Sequence, residues 1–281
     1  MVNFMKKRIV TVFTNNTKLS NDMVKLLSSK LENSGFTVSN EFTDESELIM
    51  CIGGDGAFLT ALHKFDFPST PFVGINTGHL GFFQEISPNK FDSFLENYKQ
   101  EKYHIQRLKT VKAEVTVAGK TTELVALNEI VIKRSGFHTI HLNISIGGSF
   151  IERFSGDGIL VATPAGSTAY NYSLGGSIVD PRLTLLQVTP IAPVNTTAYR
   201  SFTSSLLLPS DLSLGVEPES ELDGEMIIST DGVENRYSNI NLINIYFAET
   251  IVNLIRFESY DFWSKVKTKF LDDEASRNEQ V

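Results

Sequence analysis

The 281-residue chain has one cysteine, one tryptophan and no apolar run approaching the roughly 18 residues that a membrane-spanning helix needs. The single thiol, Cys51, permits neither an internal disulfide nor a thiolate metal cluster, so a reducing cytoplasm is the expected location. Met1 to Val10 is too short, and too interrupted by Lys6, Lys7 and Arg8, to read as a secretion signal. Basic residues are also scarce: 25 Lys and Arg against 33 Asp and Glu give a formal charge of −8. Such a chain has no general attraction for nucleic acid or anionic membrane, so a polyanionic ligand must be held by local donors. Several catalytic signatures are missing as well. There is no H-E-x-x-H, no G-x-S-x-G around Ser167 or Ser173, and no credible Cys–His pair at Cys51. His79 has no second ligand at metal spacing. His138 and His141, three apart in an expected strand, would point to opposite faces.

What remains is a soluble-protein composition, 41% apolar and 21% charged, with a change of rhythm along it. In the first hundred residues short β-branched runs (RIVTVFT, FTVS, ELIMCI, PFVGIN) alternate with helical stretches. LSNDMVKLLSSKLENSG places Met23, Leu27 and Leu31 four apart, with Ser20 as the expected N-cap and Gly35 as terminator. GAFLTALHKF and NKFDSFLENYKQ follow. The alternation predicts a parallel sheet flanked by helices. From about residue 103 the pattern turns antiparallel, with turn signals at Ala118–Lys120, Gly147–Gly148 and Asp231–Gly232. A last helix, DFWSKVKTKFLDD, carries Phe262, Val266 and Phe270 on one face and is expected to return to the first domain. The polar tail EASRNEQV is expected to fray. The division predicted is 1–102, with 258–281 packing back on it, and 103–257.

Four stretches are rich in residues suited to chemistry. In CIGGDGAFLT, Gly53, Gly54 and Gly56 would let phosphates approach the backbone where a strand gives way to a helix N-terminus. The stretch lacks the Lys-Ser/Thr of a Walker A loop and the third glycine of the dinucleotide fingerprint. Asp55 repels phosphate, so it either caps a helix starting near Ala57 or takes a proton from an attacking hydroxyl. GINTGHLGFFQEI makes a glycine-rich loop in which Phe82 and Phe83 read as core. In LNEIVIKR, Asn128 and Glu129 interrupt an apolar strand: they bind a nucleotide or sit at a strand bend. In SGDGILVATPAGSTAYNYSLGGSIVDP a second Gly-Asp-Gly precedes a strand. A short helix capped by Ser167 then places Thr168, Ala169, Tyr170 and Ser173 along it, ended by Gly175–Gly176.

Taken together and in this order, GGDG (53–56), NTGHLGF (76–82), NE (128–129) and GDG…TPAGSTAYNYSLGG (156–176) resemble the NAD kinase family. GGDG alone is shared with lipid and sugar kinases. The resemblance implies an N-terminal α/β domain with a parallel sheet, a β-rich, sandwich-like C-terminal domain, and an active site in the crevice between them. It implies transfer of the γ-phosphoryl group of ATP, or of polyphosphate, to the 2′-hydroxyl of the adenosine ribose of NAD, with Mg²⁺ or another divalent cation accompanying ATP. It implies Asp55 as general base, Gly53, Gly54 and Gly56 at the ATP phosphates, and Gly56, Asn128, Glu129, Asp157, Ala165, Thr168, Ala169, Tyr170, Ser173 and Ala192 at NAD. Asp157 would act from an adjacent subunit of a homodimer or homotetramer. Three positions depart from the family pattern: Ser155, where a basic residue is common, Ser177 and Asp180. The alternatives are a lipid or sugar kinase of the same superfamily, or a regulator that binds NAD or NADP without chemistry.

Overall fold

IVTVFT, a β-branched run, forms the buried strand β1 (Ile9–Thr14). The structure, a computed structural model, describes residues 7–15, 18–78, 81–136, 138–219 and 224–272. It divides into two compact units, Met1–Arg107 with Val252–Val281, and Leu108–Ile251. The expected frayed tail and His79 lie outside the described residues.

In the first unit β1 is followed by α1 (Lys18–Asn33), β2 (Thr37–Ser39), β3 (Ser46–Gly53), α2 (Asp55–Lys64), β4 (Phe72–Asn76), β5 (Gln84–Ile86) and α3 (Phe91–Lys99). The strands run parallel in the order β4-β3-β1-β2, with β5 also parallel to β4. α1 begins two residues before Ser20, so Ser20 lies inside the helix and is not its N-cap. The helix does end as predicted. Gly35 takes φ +90°, and the Phe36 and Gly35 amides donate to the carbonyls of Leu31 and Glu32, the pattern of a Schellman cap closed by the buried Leu31 and Phe36. The core under the sheet combines Val10, Leu48, Met50 and Ile52 with Leu27, Leu31, Phe91 and Phe94 of the helices.

The second unit contains β6 (His104–Val117, entering from the first unit), β7 (Lys120–Ala126), β8 (Glu129–Arg134), β9 (Ile140–Ile146), β10 (Ser149–Gly156), β11 (Gly158–Ala162), the single turn α4 (Tyr170–Ser173), β12 (Leu185–Ile191), β13 (Leu206–Pro209), β14 (Leu214–Pro218), β15 (Met226–Thr230), β16 (Val233–Tyr237) and most of β17 (Ile240–Arg256). All three expected hairpin turns form with two left-handed residues each: Ala118 and Gly119, Gly147 and Gly148, Asp231 and Gly232. A six-stranded antiparallel sheet, β13-β12-β11-β8-β15-β16, shares one apolar core with the strands β9, β10, β14 and β17. This is the expected sandwich. β11 is buried on both faces: Ile159 and Val161 enter the sandwich core, while Leu160 and Ala162 face a smaller cluster with Val131, Ile191 and Leu174. His138 precedes β9 rather than lying in a strand, and the ring of His141 stacks on Tyr199 with centres 4.7 Å apart.

The chain then returns to the first unit through the end of β17, where Leu254 pairs with Phe72 of β4, and closes with α5 (Phe262–Phe270). Asp261 caps α5 by accepting from the Ser264 amide, and the ring of Phe262 lies 5.7 Å from that of Phe82.

Candidate active site

β3 delivers Gly53, and the chain turns at once into α2. Gly53 has φ +151°, and a Cβ there would stand 2.8 Å from that of Ala57, so the fold itself requires glycine. Gly54 and Gly56 are different. Both are exposed, neither has positive φ, and a Cβ on either would meet nothing within 4 Å. They flank the start of α2, where the first amides have no intrahelical acceptor and the helix dipole is positive.

Asp55 is the first residue of α2; Gly54 is the N-cap and makes no side-chain cap. The helix therefore starts two residues earlier than expected, and the Asp55 carboxylate does not cap it. It points instead to the loop before β5, where Oδ2 accepts from the Phe82 amide (2.9 Å) and Oδ1 from the Phe83 amide (3.0 Å). The Lys269 ammonium of α5 stands 3.7 Å from Oδ2. A Cβ on Gly81 would lie 2.3 Å from Oδ1, so that glycine is needed for the loop to close on the carboxylate. The Gln84 amide group donates to Gly54 O at 3.0 Å, tying the same loop to the helix cap. The side chains of Phe82 and Phe83 are core, as expected, with Phe83 stacked on Phe58 at 4.8 Å. Their backbone makes the contacts with Asp55.

In the second unit Asn128 and Glu129 sit where β7 gives way to β8. Their bend is held by Asp231, whose carboxylate accepts from the amides of Leu127 (2.8 Å), Asn128 (2.7 Å) and Glu129 (3.3 Å). With the backbone so fixed, the side chains end in atoms that the fold leaves without partners. Asn128 Oδ1 and Glu129 Oε2 are buried and make no hydrogen bond among the described residues. Such atoms cost roughly 1–3 kcal/mol each unless something else meets them. The TPAG turn packs against this bend: Thr163 donates through its hydroxyl to Leu127 O and through its amide to Asn128 O. A Cβ on Gly166 would lie 2.0 Å from Asn128 O.

Burial, and after it the charge of Asp231, push the Glu129 carboxyl from its ordinary 4.5 up to about 8. The folded chain therefore holds a proton there that the unfolded chain releases, and stability falls as pH rises from about 4.5 to about 8. At its steepest this amounts to about 1.4 kcal/mol per pH unit. Glu129→Gln is expected to flatten that slope, gaining stability relative to wild type at pH 8 but not at pH 5. Melting temperatures of both proteins at the two pH values check this; equal slopes would contradict it.

Ala165, Thr168, Ala169, Tyr170 and Ser173 fall in or just after the TPAG turn, whereas Asp157 and Ala192 lie at the other end of β11. The segment expected as one helix is a 3₁₀ turn, Ala165–Thr168, followed by α4. Ser167 lies inside that turn, its hydroxyl bonded to Pro164 O and to the Val179 backbone, and is not an N-cap. Thr168 is buried, Ala165 and Ala169 are half-buried, and Ser173 is exposed. Tyr170 accepts from the Lys133 ammonium at 3.1 Å. Ala192 is exposed with φ +44°, next to Ile191, whose carbonyl accepts from the Asp157 amide; the Asp157 side chain is exposed. Ser155 is buried against Ser201, so no cation stands in its place. Asp180 pairs bidentately with Arg182. Sequence reading missed Asp231, seen only as a turn residue, and Arg256 and Lys265. A lone arginine inside the apolar run NLIRF was the available signal for Arg256. Among the described residues no three His, Cys, Asp or Glu side chains are arranged to hold a metal ion.

A parallel α/β unit with glycines and an acid at a strand-to-helix turn, joined in one chain to a β-sandwich, is a fold shared with solved structures. The crystal structure of yeast NADH kinase complexed with NADH superposes with a TM-score of 0.81 at 20% identity, covering 94% of this chain and 87% of that one. An NAD kinase from Archaeoglobus fulgidus in complex with ATP gives 0.75 at 24% identity over 93% and 99%. The family descriptions ATP-NAD kinase N-terminal domain and C-terminal domain match residues 4–103 and 127–256. The NAD kinase of Finegoldia magna is 38% identical over 94% of this chain and 98% of its own length, and NAD kinase 1 of Oceanobacillus iheyensis is 32% identical over 89% and 93%. This chain belongs to the NAD kinase family.

Proposed function

We propose that the protein transfers the γ-phosphoryl group of ATP to the 2′-hydroxyl of the adenosine ribose of NAD, giving NADP and ADP. The observation that carries the reading furthest is the pair of unpartnered buried atoms, Asn128 Oδ1 and Glu129 Oε2, on a bend that Asp231 holds rigid. A nucleotide's amino and hydroxyl groups supply the missing partners. Thr168, Tyr170 and Ser173 add hydroxyls, and Ala165, Ala169 and Ala192 leave room.

Asp55, fixed through both oxygens, keeps lone pairs free to take the proton of the 2′-hydroxyl as its oxygen bonds to the γ-phosphorus and ADP departs. Gly54 and Gly56 serve the phosphates, whereas Gly53 is explained by the turn alone. Mg²⁺ comes as part of the ATP substrate, where it offsets phosphate charge. The exposed Asp157 serves a neighbouring copy's site in a homodimer or homotetramer, and the protein works in the cytoplasm.

The test is to supply NAD, ATP and Mg²⁺ to the purified protein and follow NADP with an NADP-specific dehydrogenase. NADP is expected to accumulate. A folded protein that binds NAD yet forms none would be a regulator instead.

A further inference from the structure

Two cations, one buried and one half-buried, stand behind the loop that holds Asp55. Arg256, 2% exposed, donates from Nη2 to Phe82 O (2.9 Å), from Nη1 to Glu85 Oε2 (3.2 Å) and from Nε to Gln106 Oε1 (2.8 Å). Its guanidinium carbon lies 3.6 Å from the centre of the Tyr260 ring. Lys265 Nζ donates to Gly81 O (2.9 Å) and Gln84 O (3.4 Å). Burial, and then the neighbouring Arg256 charge, push its ammonium down to about 8. Burying the Arg256 guanidinium with the half-buried Lys265 ammonium beside it is electrostatically costly even with the carboxylates of Glu85 and Asp55 nearby. Neutral donors would close a merely structural loop equally well.

The connectivity shows what the cations do. The carbonyl of Gly81 and the amide of Phe82 belong to one peptide unit, and the carbonyl of Phe82 and the amide of Phe83 to the next. A trans peptide is planar and points its C=O and N–H in opposite directions. Lys265 therefore grips the first unit by its oxygen while the same unit's N–H donates to Asp55 Oδ2. Arg256 grips the second while its N–H donates to Oδ1. Each peptide lies between a cation and one carboxylate oxygen, an arrangement in which hydrogen bonds polarise and strengthen one another.

We propose that Arg256 and Lys265 are positioning residues, which orient the Asp55 carboxylate for proton removal through the Gly81–Phe82 and Phe82–Phe83 peptide units. The inference rests on Asp55 being the base. Lys265→Met, which keeps the stem and removes the donor, is expected to lower kcat about tenfold or more, as misplacement of a reacting group does, with KM for NAD unchanged. In an Asp55→Asn background the same change should have almost no effect, because there is no base left to orient.

The ¹H–¹⁵N resonance of the Phe82 amide gives a second readout independent of turnover. Its proton should move upfield in Lys265→Met, and that of Phe83 in Arg256→Lys, each without moving the other as far. Losses that multiply in the double variant, or amide protons that stay in place, would overturn the positioning role and leave the base intact. Near wild-type turnover by Asp55→Asn alone would instead remove the base, and this inference with it. If Lys265→Met does not fold, Lys265→Gln takes its place in the same cycle and the same spectra.

Discussion

Asp55→Asn is expected to lower kcat by about a hundredfold or more, within the 10²–10⁴ that a positioned base commonly contributes, while the protein remains folded. The geometry sharpens this expectation. Both oxygens of the carboxylate accept a backbone amide, at 2.9 and 3.0 Å. An asparagine offers one acceptor and one donor group, so one of the two Phe amides must face another N–H. That costs roughly 1–3 kcal/mol, seen as a melting temperature lower by several degrees, and a small shift of the loop. Lys269, 3.7 Å from the carboxylate, also loses this charge contact. Turnover should therefore be compared at a temperature where both proteins are fully folded, with NADP formation as the measure. An asparagine variant that turns over at the wild-type rate would take Asp55 out of the mechanism.

Asp231→Ala is expected to abolish tight NAD binding and to destabilise the second unit by several kcal/mol. Three consecutive backbone amides, those of Leu127, Asn128 and Glu129, donate to this one carboxylate, and all three residues are buried. Alanine would strand each amide at a cost on the order of 1 kcal/mol or more. It would also free the bend that aims Asn128 and Glu129. Asp231→Asn retains one acceptor and should recover part of the stability. Isothermal titration with NAD, beside thermal unfolding, checks both. An alanine variant that binds NAD as the wild type does would show that the bend holds its shape without Asp231.

The sequence made the architecture legible wherever one local signal was enough. Gly119, Gly147–Gly148 and Asp231–Gly232 mark hairpins because few other residues tolerate a left-handed backbone, and Ala118 adopts it beside its glycine. The β-branched runs and Gly35 behave as expected for the same local reason. Helix starts were less legible: Ser20 and Ser167 are good N-caps by type, yet the chain begins its turns before them. At Asp55 the competing reading, a helix cap, gives way to contacts with residues 27 and 28 positions further along. No local pattern can announce those. The same holds for Asp231, which reads as turn chemistry and does perform it, while its carboxylate serves amides about a hundred positions earlier. Arg256 and Lys265 act on backbone carbonyls, which every residue has, so nothing in loop 81–85 points to them.

The first unit is interrupted in sequence, its last strand segment and α5 arriving only after residues 108–251. During synthesis the Asp55 loop emerges some 170 residues ahead of Arg256, an interval of roughly 10 to 30 s at usual ribosome speeds. For that interval the carboxylate is held by an unbraced loop, and the last sandwich strand is completed at Ile251, only five residues before Arg256. Translation products that stop short of Arg256 would lack both cations that grip the Gly81 and Phe82 carbonyls. Activity would arrive as the last event of the protein's making.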